Sequence, residues 1–196
     1  MKYRQALLAA LLGLTVSSAA AAFPIALAGT EGLSVLVSGA GPVIATYQGN
    51  SATYSNDLYL SLTAIGPGLD GDFTNDTFIF NNHTTPVGTT FDLGSFALGT
   101  ELIFRLYVNN TGYNYFTGLA SRNPDGMAHA RVQTNWNPGE SLVSFEDLYG
   151  LPEGVNGYND LSFSFTNTSG GSVPDPGSSL LLLGIGLVGL RAWRRR

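Results

Sequence analysis

The sequence predicts an all-β fold, an antiparallel, jelly-roll-like β-sandwich carried between two targeting segments. Three observations predict it. Short runs of β-branched and aromatic residues recur along the middle of the chain at intervals of about ten residues, as they do in sandwiches. Turn-forming residues separate these runs, with 25 glycines and 9 prolines among 196 residues. Between the two ends no apolar stripe has the helical period.

Taken in order, Lys2 and Arg4 lead into an apolar run over 6–16 and then into Ser17-Ser18-Ala19-Ala20-Ala21-Ala22. A charged start, a brief apolar stretch and small residues at A-x-A spacing predict a signal peptide over 1–22, cut just before Phe23 or one residue earlier. Such a segment implies signal peptidase and the general secretion machinery as partners. Strands are expected at 33–37 and 43–47, on either side of the turn cluster Ser38-Gly39-Ala40-Gly41-Pro42, and then at 58–62 and 77–80. Over 101–109, Leu102, Phe104, Leu106 and Val108 fall on one face. Asn109-Asn110-Thr111-Gly112 is a hairpin signal that would pair this strand with 112–117. Strands follow at 128–136, 142–145 and 161–166. In the last, Leu161, Phe163 and Phe165 alternate with Ser162, Ser164 and Thr166, the pattern of a half-buried strand. Gly170-Gly171-Ser172 is expected to be a short flexible linker.

The body, 23–172, has an uneven charge. Its basic residues are Arg105, Arg122 and Arg131, set against thirteen acids, so it carries −10 where the whole chain carries −5. A surface of that sign repels nucleic acid and anionic lipid, and it favours divalent cations or simple solubility. The absence of cysteine excludes disulfides and thiolate metal sites.

The tail reads Val173-Pro174-Asp175-Pro176, then an apolar run ending at Leu190, then Arg191, Trp193, Arg194, Arg195 and Arg196. A helix over 178–193 is short but workable as a membrane span, because Arg191 can snorkel and Trp193 suits the interface. The terminal arginines favour a cytoplasmic C-terminus. This order of parts over 173–196 resembles the PEP-CTERM sorting signal of Gram-negative bacteria, with Asp175 where that family usually has Glu. The resemblance implies an exosortase of the inner membrane as the partner that recognises the tail.

Three further elements follow one another: Pro124-Asp125-Gly126-Met127-Ala128-His129, Val143-Ser144-Phe145-Glu146-Asp147-Leu148, and Gly157-Tyr158-Asn159-Asp160-Leu161. They resemble an extracellular β-domain, the domain-of-unknown-function family 4114, with a family-like core over about 80–168. The family itself supplies no activity. Read as residues, Glu146, Asp147, Asn159 and Asp160 put three carboxylates and an amide at two strand ends. These are hard oxygen ligands that suit Ca²⁺, or else groups engaged in Asx-type turns and backbone hydrogen bonds. A second, weaker calcium candidate is the loop of Asp70, Asp72 and Asp76. It has alternate acids but neither the glycine nor the closing glutamate of an EF-hand.

No catalytic motif is present. The two histidines, His83 and His129, stand in loop and strand-edge contexts, and no nucleophile elbow, zinc helix or phosphate loop occurs. Tyr107, Tyr113, Tyr115, Phe116 and Trp136 offer either a sugar-stacking face or core. The expectation is a non-catalytic cell-surface or extracellular-matrix protein, associated with exopolysaccharide or biofilm. Its tail would anchor it transiently in the inner membrane before display or release. Two other readings stay open. A calcium-dependent carbohydrate-binding module would need an exposed aromatic face beside an ordered Asp/Asn loop. A hydrolase would need two carboxylates converging in a cleft.

Overall fold

The computed structural model describes residues 23–63, 72, 74–150 and 157–172. The expected signal peptide over 1–22 and the sorting segment with its helix over 178–193 lie outside these residues. Among the described residues no helix is long and apolar enough to cross a membrane.

The described strands are β1 (Ser34–Val37), β2 (Pro42–Gly49), β3 (Asn56–Thr63), β4 (Thr77–Asn81), β5 (Thr90–Ser95), β6 (Glu101–Val108), β7 (Asn114–Phe116), β8 (Ala130–Asn137), β9 (Glu140–Phe145), β10 (Leu161–Thr166) and β11 (Thr168–Gly171). They form two antiparallel sheets. One has the order β11-β1-β6-β3-β4, with β7 beside the far half of β6; the other has the order β5-β2-β10-β9-β8. The first strand pairs with the last and the second with the last but one, so the two halves of the chain wrap around each other. The expected β6–β7 hairpin forms, with Arg105 opposite Phe116 and Tyr107 opposite Asn114.

The core lies between the sheets. Leu102, Phe104, Leu106 and Val108 face it from β6, and Leu161, Phe163 and Phe165 from β10. Phe104 stacks on Phe165 with ring centroids 4.2 Å apart, while Phe163 meets Phe104 edge-on at 6.0 Å. Offset and edge-on contacts of this kind suit the ring quadrupoles and close the sandwich without a disulfide.

Three expectations change. Strand β10 is buried on both faces, because the segment after Phe23 covers its outer serines. The Ser162 hydroxyl donates to the Pro24 carbonyl (2.6 Å), and the Ala26 N–H donates to Ser144 Oγ (2.9 Å). Strand β5 was not legible in sequence. Its Phe91 and Leu93 are only partly buried at an edge, and Asp92 and Gly94 dilute the pattern. Most consequentially, Gly170 and Gly171 are not a flexible linker. They belong to β11 and pair with Val35 and Ser34. Gly170 is there for close approach: a Cβ would stand 2.8 Å from the Val132 carbonyl oxygen and 2.8 Å from Thr134 Oγ1. Gly170→Ala is therefore expected to destabilise the domain by about 1–3 kcal/mol. Urea unfolding checks this, and an unchanged midpoint would return the segment to the status of a linker.

Candidate functional site

Strands β9 and β10 are paired with Phe145 opposite Leu161. The chain leaves β9 through Glu146 and Asp147 and enters β10 through Asp160, so the three acids meet just beyond the last rung. They are 0%, 4% and 6% exposed, and each offers a carboxylate oxygen within 4.8 Å of the others. Backbone groups hold them. The Glu146 N–H donates to the His129 carbonyl (3.0 Å), and the Asp160 N–H donates to the Phe145 carbonyl (3.0 Å). The Asp147 N–H donates to Asp160 Oδ2 (2.8 Å). Glu146 accepts from the Tyr158 N–H (3.1 Å) and the Leu148 N–H (3.3 Å). Asp147 Oδ2 accepts from the Asn56 side-chain amide (2.7 Å), which reaches in from the start of β3.

Burial, and then the Asp147 carboxylate beside it, pushes the Asp160 carboxyl up to about 8. Desolvation and like charge both disfavour its ionised form, and the Asp147 N–H only partly offsets them. Tyr158 sits at a positive φ of 71°, where a bulky side chain is strained. Its hydroxyl holds it there by donating to the Ala128 carbonyl (2.6 Å), and the Arg131 guanidinium lies 4.3 Å over its ring.

A second layer supports the first. His129 is fully buried and stacked on Tyr115 at 3.7 Å between ring centroids. Its Nδ1 contacts the Glu146 carbonyl (2.9 Å) and its Nε2 contacts Asp125 Oδ2 (2.8 Å). Asp125 also accepts from the Gly150 and Met127 N–H groups. The loop after β9 is thus tied to the loop before β8. A cavity of about 230 Å³ opens against the carboxylates, lined by Ser51, Thr53, Tyr54, Asp147, Leu148 and Asp160.

The structure brings Glu146, Asp147 and Asp160 together, and Asn159 stands beside them, its backbone carbonyl accepting from the Ser51 N–H (2.9 Å). The second candidate loop is not brought together in the same way. Asp70 lies outside the described residues. Asp72 closes its own turn by accepting from the Thr74 N–H and hydroxyl, both at 2.8 Å. Asp76 is buried against Arg105, with Nε 3.1 Å from Oδ2. His83 is exposed, with Nε2 3.2 Å from the Ala52 carbonyl oxygen.

The aromatic set also divides. Tyr115 and Phe116 are core, Tyr107 and Trp136 are half-buried, and Tyr113 is exposed. Tyr113 instead stacks on Tyr149, with centroids 5.2 Å apart, a partner that sequence spacing does not suggest. A groove of about 310 Å³ adjoins Tyr113, lined also by Asn114, Phe116 and Pro124.

With the geometry in place, the comparisons concern the tail. A family model described as the VPDSG-CTERM motif matches residues 172–196. The tail is therefore a sorting motif of the PEP-CTERM type and marks an exported protein sorted through its C-terminus. Val173, Pro174, Asp175 and Gly177 fit the letters of that motif, so Asp175 is the matching acid and Pro176 stands in the serine place. The match covers the tail alone, and the resemblance of the body to family 4114 is not carried by it. No curated protein and no solved structure matches the chain.

One acid on the sandwich sets a pH limit. Burial alone would raise the Glu101 carboxyl, but the Arg122 guanidinium and the Ser34 hydroxyl outweigh it and hold Glu101 below its usual 4.5. Arg122 engages both carboxylate oxygens, at 2.7 and 3.0 Å. A depressed folded pKa contributes stability above pH 4.5 that is lost as the pH falls through the folded value. Glu101→Gln is expected to flatten the acid side of the stability–pH curve below 4.5, read by urea midpoints. A curve with unchanged slope would show the pair to be neutral.

Proposed function

We propose that the chain is an exported, non-catalytic cell-surface or extracellular-matrix protein, delivered by an exosortase acting on its tail and resident in an exopolysaccharide layer. The observation that carries this reading is the motif match at residues 172–196, joined directly to a paired edge strand that ends at Gly171. In this reading the end of the domain that carries Gly171 is the one turned to the membrane. Its net charge of −10 keeps it off anionic headgroups. The three converging acids favour a non-catalytic role, because they are 0–6% exposed, with Glu146 and Asp160 tied to backbone donors and Asp147 to the Asn56 amide. That arrangement suits holding a cation better than meeting a polymer.

Deleting 173–196 is expected to move the protein from the membrane fraction to the soluble exported fraction, as followed by fractionation. Replacing Arg194, Arg195 and Arg196 with Gln should impair orientation of the tail, since positive charge sets topology. Membrane association that survives the deletion sinks the sorting reading.

One observation favours a second reading, a carbohydrate-binding module. Tyr113 and Tyr149 are 39% and 56% exposed and stacked on each other beside a groove. Aromatic faces with polar neighbours suit sugar rings. In gels containing the producer's own polysaccharide, the protein would then migrate slowly, and Tyr113→Ala with Tyr149→Ala would restore its mobility. Equal migration of both forms removes this reading.

A further inference from the structure

We propose that Glu146, Asp147 and Asp160, completed by the amide oxygen of Asn56, form a calcium centre that pins the entry to β10 and the exit from β9 to the start of β3. The span fits the ion. Two oxygens on opposite sides of Ca²⁺, each at about 2.4 Å, stand about 4.8 Å apart. The three carboxylates present oxygens within 4.8 Å of one another.

A second observation is independent of the acids. Asn56 is fully buried, its Nδ2 donates to Asp147 Oδ2, and its Oδ1 has no hydrogen-bond partner among the described residues. A half-turn of the amide exchanges two groups of equal size and sets an oxygen where the donor now stands. The Asn159 Oδ1 is likewise withdrawn from solvent without a partner among the described residues. A buried amide oxygen with nothing to accept is costly, and in the turned amide the Asn56 oxygen faces the carboxylates, where a hard cation is what can join acceptor to acceptor.

The charge distribution points the same way. Every arginine of the body is engaged elsewhere: Arg105 with Asp76, Arg122 with Glu101 and Arg131 with Glu31. His129 is engaged with Asp125. The remaining basic side chain of the body, His83, is exposed and lies against the Ala52 carbonyl, away from the three buried acids. The cavity bounded by Ser51, Thr53, Tyr54 and Leu148 reaches Asp147 and Asp160, giving the ion a way in and its remaining ligands room as water. Ca²⁺ accepts 6–8 oxygens in flexible geometry, whereas Mg²⁺ demands a near-ideal octahedron and gives up its water reluctantly.

The test uses the full chain in detergent. Calcium chloride at a hundredfold excess over Kd is expected to raise Tm by about 5–10 °C. Sodium chloride at matched ionic strength should not reproduce the rise, and Asp160→Asn and Asn56→Ala should each weaken calcium binding by about tenfold. Terbium, a calcium substitute, should luminesce on excitation of the tyrosines, Tyr54 lining the cavity, and calcium should quench the signal by displacing it. The terbium measurement needs no variant, so it decides even where a substituted chain fails to fold. Sodium matching calcium, or terbium emission indifferent to calcium, overturns the proposal.

Discussion

Phe145 stands opposite Leu161, and the chemistry at that end of the sandwich follows from this register. Side chains alternate with a period of two, so a slip of one residue would turn Phe163 and Phe165 outward and bring Ser162 and Ser164 into the core. The register is held from the core side by the Phe104–Phe165 stack and by Phe163 against Phe145. Because the aromatic contacts forbid the slip, Glu146 and Asp160 have no choice but to meet beyond the last rung.

Each sheet is covered over part of its outer face, where an antiparallel sandwich is ordinarily wet. On one side residues 23–27 lie over Ser144 and Ser162. Phe23 fits against Gly49, where a Cβ would stand 2.7 Å from the Phe23 Cβ. On the other side Arg105 is fully buried between Asp76, Phe116 and Ser61. Removing one partner of a buried ion pair costs far more than a surface pair is worth. The pair therefore binds the loop ahead of β4 to the middle of β6 and fixes where that loop lies.

The edge strand β11 joins fold and destination. A strand paired with β1 and bridged to Thr134 through Gly170 carries the paired sheet up to Gly171, next in sequence to the matched residues 172–196. The buried acids lie in a body whose charge is strongly negative and whose three arginines are already paired.

The sequence by itself determined the all-β class, most strands, the core face of β6, the β6–β7 hairpin and the sorting tail. Each rests on local information: a period of two, a turn dipeptide, or an ordered string of Pro, acid, apolar run and arginines. It also marked Glu146, Asp147 and Asp160 as a group, because acids flanking two apolar strands are visible as strand ends. Tertiary structure alone decided the rest. Asn56 stands 91 positions from Asp147, and nothing in its own segment marks it as a partner. Tyr149 meets Tyr113 only because the loop after β9 is clamped by Asp125. Asp76 looked like a loop ligand and became the counter-ion of Arg105, and Gly170 looked like a hinge and became a close-packed edge. In each case the deciding quantity is a distance between residues far apart in the chain, set by which strands pair, and no local pattern encodes it.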